Sequence, residues 1–137
     1  MRKVLCFFMV LVIGVSMSFN LQAQNKGAKL EVYYFHATNR CPTCNAIEDN
    51  ALKVLNETYK SQIANGTVKF TSFNLDDKAN EALVKKYEIS FSTLLIIKKA
   101  GAKELKSDLT DMAFQYARTN PTKYASLLKA EIDKNLK

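Results

Sequence analysis

The feature that most restricts this chain is the position of one pair of cysteines. Residues 30–36, Leu-Glu-Val-Tyr-Tyr-Phe-His, are β-branched and aromatic and read as a strand. A short polar stretch, Thr38-Asn39-Arg40, leads from it to Cys41-Pro42-Thr43-Cys44. Beyond the pair, Ile47, Ala51, Leu55, Tyr59 and Ile63 recur every four residues, which describes one face of a long helix. The cysteines therefore open a helix directly after a strand. A helix N-terminus carries unpaired amides and a partial positive charge, and both favour a thiolate over a thiol. Cysteines so placed have pKa values of about 3.5 to 7.5, against about 8.5 for a free one. Arg40 is expected to push the same way. Pro42 suits the first helical turn and holds the first sulfur at its mouth, and the three-residue offset brings both sulfurs to one side of that turn. The plainer alternative is an inert structural disulfide or half of a zinc site. The strand-to-helix position favours redox or soft-metal chemistry instead.

The rest of the chain alternates in kind. Asn65-Gly66 is a credible helix stop. Val68, Phe70, Phe73 and Leu75 mark a second strand, and Asp76-Asp77 supplies a cap for a short helix carrying Ala82, Leu83 and Tyr87. Residues 93–97, Thr-Leu-Leu-Ile-Ile, are a continuous apolar run, as in a strand buried on both faces. Lys98 to Lys103, with Gly101, reads as a hairpin turn into a short strand near Glu104-Leu105. Thr110 or Asp108 can cap a helix containing Met112, Ala113, Tyr116 and Ala117. Asn120-Pro121 begins the last helix, Asn as cap and Pro as first residue, with Tyr124, Leu127, Leu128 and Ile132 on its buried face. The expectation is one α/β domain over residues 24–137.

Residues 1–23 stand apart. Arg2-Lys3 precede an apolar run from Val4 to Phe19, and a polar stretch, Asn20 to Gln24, follows around Ala23. This is the layout of a cleaved signal peptide. The run is shorter than the roughly 20 residues of a spanning helix, so no stable membrane insertion is expected after cleavage, and the protein is expected to be periplasmic or secreted. Cys6 leaves with the leader. Two cysteines then remain, in a domain long enough to bury a core without staples. A pair three positions apart closes too small a loop to restrict the unfolded chain much, so chemistry rather than stability accounts for it. The formal net charge of +7 is scattered, with no like-charge block longer than two residues. The aromatic residues Tyr33, Tyr34, Phe35, Phe70 and Phe73 read as core rather than as a base-stacking platform, so no nucleic-acid partner is expected. Three cysteines and one histidine cannot fill a four-ligand zinc site alone. No cofactor and no private metal site are expected.

The order of strand, Cys41-Pro42-Thr43-Cys44, long helix, strand, helix, hairpin and helix resembles the thioredoxin fold over roughly residues 28 to 136. Phe73-Asn74-Leu75-Asp76 resembles the strand end before the second thioredoxin helix. Tyr87-Glu88-Ile89-Ser90-Phe91-Ser92-Thr93-Leu94-Leu95 resembles the Tyr-x-Ile-x-x-x-Pro-Thr segment. More narrowly, Val32-Tyr33-Tyr34-Phe35-His36-Ala37-Thr38, the cysteine motif and Ala113-Phe114-x-x-Ala117-Arg118-x-Asn120-Pro121 are similar to a small bacterial thioredoxin-like family. That family is named after arsenic operons and a nitrophenyl-compound nitroreductase subunit; no flavin fingerprint is present in this sequence. The resemblance implies a three-layer sandwich with a mixed central sheet and helices on both faces. It also implies that Cys41 attacks a partner disulfide and that Cys44 resolves the mixed disulfide. Cys44, lying further into the helix, fits that division of labour.

Three departures stand out. Arg40 replaces the aromatic residue that usually precedes the first cysteine. The buried acid of the first strand is missing, with Tyr34 and Phe35 in its region. Ser92 stands where the family places a cis-proline before Thr93. A cis bond without proline costs about 2.5–4 kcal/mol, so a trans loop is expected, with room opened near the sulfurs.

The leading expectation is an exported thiol–disulfide oxidoreductase acting on protein or small-molecule disulfides or dithiols. The alternatives are a module that holds a soft metal or metalloid between the two sulfurs and an accessory subunit that carries electrons to a larger partner. Cys41 and Cys44 are the reactive residues, with Arg40, Pro42, His36, Ser92 and Thr93 in support. His36, the only histidine, is either a proton shuttle or ligand or a strand-end residue with a satisfied hydrogen bond. Thr38, Ser92 and Thr93 are candidate donors to a thiolate, although loop hydroxyls more often serve turns.

Overall fold

A computed structural model describes residues 29–137. The expected leader over residues 1–23, its cleavage point and Cys6 lie outside the described residues. The chain forms β1 (Leu30–His36), α1 (Pro42–Thr58), α2 (Lys60–Ala64), β2 (Val68–Asn74), a single 3₁₀ turn (Lys78–Asn80), α3 (Glu81–Tyr87), β3 (Thr93–Ala100), β4 (Lys103–Asp108), α4 (Thr110–Tyr116) and α5 (Pro121–Leu136).

Every residue of β1 is buried, on both faces of the sheet. That places the strand inside the sheet and requires a helical layer on either side. The four strands run in the order β2-β1-β3-β4. β1 pairs parallel to β2, with Tyr34 opposite Ser72, and antiparallel to β3, with Phe35 opposite Thr93. β3 and β4 form the antiparallel hairpin. The parallel β1–β2 pair needs a crossover, and α1 with α2 supplies it. Leu30, Val32 and Tyr34 face the larger core, against Ile47 and Leu55 of α1, Ala113 of α4, and Leu128 and Ile132 of α5. Tyr33 and Phe35 point the other way, against Tyr87, Leu83 and Val84 of α3. Period-two alternation along one strand thus builds two cores.

Three local expectations meet a different outcome. The single long helix divides at Tyr59, whose backbone (φ −114°, ψ 24°) caps α1. The Tyr59 side chain is buried, with its hydroxyl 2.7 Å from the Asp133 carboxylate and 3.1 Å from the Lys129 carbonyl. Anchoring of the ring to α5 accompanies the loss of helical backbone there. The hairpin turn is shorter than Lys98 to Lys103. Lys98, Lys99 and Ala100 stay in β3, opposite Leu105, Glu104 and Lys103, and Gly101 (φ 65°) makes the reversal. The Lys99 N–H donates to the Lys29 carbonyl (2.8 Å) and its ammonium lies 3.0 Å from Glu31, so tertiary pairing carries two polar residues into a strand. Leu127, expected on the buried face of α5, is 37% exposed, whereas Tyr124, Leu128 and Ile132 are buried. Positive φ at Gly66 (74°) fits the expected stop after α2. The Asn120 side chain accepts from the Lys123 N–H, and Pro121 opens α5.

Candidate functional site: a cysteine pair at a helix N-terminus

The C-terminal end of β1 faces the start of β3, because Phe35 pairs with Thr93. The segment before α1 and the segment before β3 therefore meet at one end of the sheet. The loop after β1 is held by polar contacts to the end of β2. The Thr38 N–H donates to the Asp76 carboxylate (2.8 Å), Asn74 Nδ2 donates to Thr38 Oγ1 (3.0 Å), and the Leu75 N–H donates to the His36 carbonyl (2.8 Å). The first of these bonds holds the Asp76 carboxyl below its ordinary pKa.

Cys41 is the N-cap of α1. Its backbone is extended (φ −76°, ψ 161°), its carbonyl accepts the first intrahelical bond from the Asn45 N–H (3.1 Å), and its sulfur accepts from the Cys44 N–H (3.2 Å). Ser, Thr, Asp or Asn usually fills this position. A thiolate fills it by the same logic, as an anion over orphan amides. Pro42 follows in the first turn, where a missing N–H costs nothing. Cys41 is exposed and Cys44 buried, and the two sulfurs lie against each other. The Cys41 pKa is lowered, first by the hydrogen bond with the Cys44 thiol, then by the Cys44 N–H; desolvation opposes this, and the Thr43 and Cys41 amides add to it.

The supporting residues divide. Arg40 turns its guanidinium onto Glu48, one helical turn beyond Cys44, in a half-buried ion pair. The Cys41 shift is thus made by a thiol and amides rather than by that charge. Ser92 comes to the pair, its Oγ 3.9 Å from Cys44 Sγ. Thr93 is buried and donates its hydroxyl to the Phe91 carbonyl (2.8 Å). His36 is buried, its Nδ1 2.9 Å from the Ala37 carbonyl and its ring 5.9 Å from that of Tyr34. The hydrogen bonds of Thr38 go to Asn74 and Asp76. All peptide bonds among the described residues are trans, including that between Ser92 and Thr93.

Two residues at the site were not singled out by their sequence pattern. The fully buried Tyr34 donates its hydroxyl to the Cys44 carbonyl (2.9 Å). Burial and the neighbouring Cys44 push its pKa up, against the Arg40 charge and a hydrogen bond with Ser92. Glu48 takes the charge of Arg40. Tyr34 sits in an aromatic strand and reads as core; Glu48 reads as one more polar helix residue. Glu48 follows Cys44 by four positions, a spacing that marks a shared helix face; nothing comparable marks Tyr34.

Among the described residues no group of three or more His, Cys, Asp or Glu side chains is arranged to hold a metal ion. No described helix is long and apolar enough to cross a membrane. No family model matches the sequence, and no curated protein matches it. A solved structure described as that of a malarial protein is similar at 19% identity, over 64% of this chain and 93% of that one, with a TM-score of 0.41.

Proposed function

We propose that the chain is a thioredoxin-like thiol–disulfide oxidoreductase that works outside the cytoplasm, in the periplasm or after secretion, on protein or small-molecule disulfides. The observation that carries this reading is the asymmetry of the pair: an exposed Cys41 that caps a helix and has its pKa lowered there, with a buried Cys44 against its sulfur. The order of strands and helices supports the thioredoxin-like assignment, since it is the order the resemblance implies.

The cycle balances on these two residues. The Cys41 thiolate attacks one sulfur of the partner disulfide; a Cys41–partner disulfide forms and the other partner sulfur leaves as thiolate. Cys44, as thiolate, then attacks Cys41 Sγ. The Cys41–Cys44 bond forms, the mixed disulfide breaks, and the partner leaves as its second thiol. Two electrons and two protons pass from the dithiol to the partner. The test is a trap: Cys44→Ser should accumulate a mixed disulfide with the partner, and Cys41→Ser should abolish insulin-disulfide reduction. Full activity in Cys41→Ser would overturn the reading.

The soft-metal alternative draws on Ser92. It is smaller than proline, keeps its N–H, and lies beside Cys44 in a trans loop. On that reading Cys41 and Cys44 bind a soft cation such as Cu(I), with pairing of two chains into a four-sulfur site as one way to do so. Stoichiometric Cu(I) binding that is lost in Ser92→Pro, with no mixed disulfide from Cys44→Ser, would favour it over the redox cycle. An electron-carrying accessory role would use the same two sulfurs.

A further inference from the structure

The resolving step asks Cys44, the buried sulfur, to become a nucleophile. Beside the Cys41 sulfur and the Arg40–Glu48 pair, two hydroxyls are placed around it: Ser92 Oγ lies 3.9 Å from its sulfur, and the Tyr34 hydroxyl bonds its carbonyl at 2.9 Å. Tyr34 is fully buried on β1 and enters the site from beneath, while Ser92 enters from the β3 side. We propose, resting on the redox reading above, that Tyr34 and Ser92 are the positioning residues of the resolving step, two hydroxyls that turn their protons onto Cys44 Sγ when it ionises.

The hydroxyl of Tyr34 has somewhere to turn from. In the dithiol state its single proton is given to the Cys44 carbonyl, a neutral acceptor that also lies within reach of the next helical turn. A hydrogen bond to an anion is roughly twice as strong as one between neutral groups. When the Cys44 proton leaves, rotation of the phenol from the carbonyl to the adjacent sulfur is therefore downhill, and the carbonyl keeps its helical partner. Ser92 reverses its role in the same way, from acceptor of the thiol proton to donor. Burial raises the Tyr34 pKa, which keeps this donor protonated throughout the working range. The step then balances: the Cys44 thiolate attacks Cys41 Sγ, the Cys41–Cys44 bond forms, the Cys41–partner bond breaks, and the proton lost by Cys44 ends on the departing partner thiol.

One equivalent of dithiobis(nitrobenzoate) separates the steps on the reduced protein without residues 1–23, in which Cys41 and Cys44 are the two thiols. The first nitrothiobenzoate released reports attack by Cys41. The second, released without further reagent, reports displacement by Cys44. Tyr34→Phe and Ser92→Ala should each slow the second phase about tenfold, the effect of losing one hydrogen bond to a charged group, and leave the first within about twofold. Ser92→Thr should restore the Ser92→Ala loss, and the half-maximal point of the second phase should move to higher pH in Tyr34→Phe. A second phase with the wild-type rate and pH profile in both Tyr34→Phe and Ser92→Ala would overturn the proposal. A wild-type protein that releases only the first equivalent would overturn the redox reading itself. Should Tyr34→Phe fail to fold, the Ser92→Ala and Ser92→Thr pair decides alone.

Discussion

The backbone N–H of Cys44 donates to the sulfur of Cys41 over 3.2 Å, so the first cysteine of the motif caps the helix that the second one enters. One hydrogen bond joins local structure to reactivity, because the group that satisfies an orphan amide is the same group that must carry negative charge. Cys41 should therefore react with iodoacetamide much faster than Cys44, with a rate midpoint below the free-thiol value of about 8.5. A lowered folded pKa has a definite sign in stability. The contribution of Cys41 to the reduced protein is fully present above the unfolded thiol pKa and is lost as pH falls through the folded value. Chemical unfolding of the reduced protein across that window should show this slope, and Cys41→Ser should lack it. Equal alkylation rates for the two thiols would contradict the assignment of Cys41.

The Arg40–Glu48 pair separates charge from geometry at the site. The two side chains are only 25% and 16% exposed, and the cause of the Cys41 shift lies elsewhere. Arg40→Ala should cost about 1 kcal/mol of stability, at the upper end for a partly exposed pair. The alkylation midpoint of Cys41 should stay within about a few tenths of a pH unit, small beside the roughly 2.7-unit spread of cysteine pKa values in folded proteins. A large upward move would return Arg40 to the role its sequence position suggested.

Five buried tyrosines set the alkaline limit. Burial raises the pKa of Tyr33, Tyr34, Tyr59, Tyr87 and Tyr124. A raised folded pKa gives stability that is present below the unfolded value, about 10, and is lost as pH rises above it. Thermal unfolding should therefore be insensitive to these groups at neutral pH and should fall steeply from pH 10 upward. At pH 7, Tyr59→Phe removes the hydroxyl that reaches Asp133 and Lys129 and should cost about 1 kcal/mol. Leu128→Ala, in the core beneath α5, should cost about 2–5 kcal/mol.

Export is tested by the mature terminus. The protein isolated from cells should begin near Gln24 or Asn25 and fractionate outside the cytoplasm, where a dithiol–disulfide couple meets an oxidising environment. An intact Met1 in the cytosolic fraction would remove that setting.

Much of the local structure was legible because its causes are local. Pro42 and Asn120-Pro121 mark helix starts through fixed φ and side-chain caps that act within three residues. Gly66 marks a stop through its positive φ. The β-branched and aromatic run at 30–36 and the apolar run at 93–97 are strands because nothing else buries them so fully. Cys41 and Cys44, with their strand-then-helix setting, were legible for the same reason: four consecutive positions contain the motif.

What the tertiary structure alone decided lies between residues far apart in the chain. The helix divides at Tyr59 where that ring reaches Asp133, 74 positions on. β3 runs through Lys98 and Lys99 because cross-strand pairing and Glu31 outweigh their polar pattern. Arg40 pairs with Glu48 rather than facing Cys41. Tyr34, an ordinary core aromatic by its pattern, places its hydroxyl under Cys44 only because α1 packs across β1. Periodicity and capping report a residue's own helix or strand, whereas a hydroxyl or a guanidinium takes its role from whichever partner packing brings within about 3 Å.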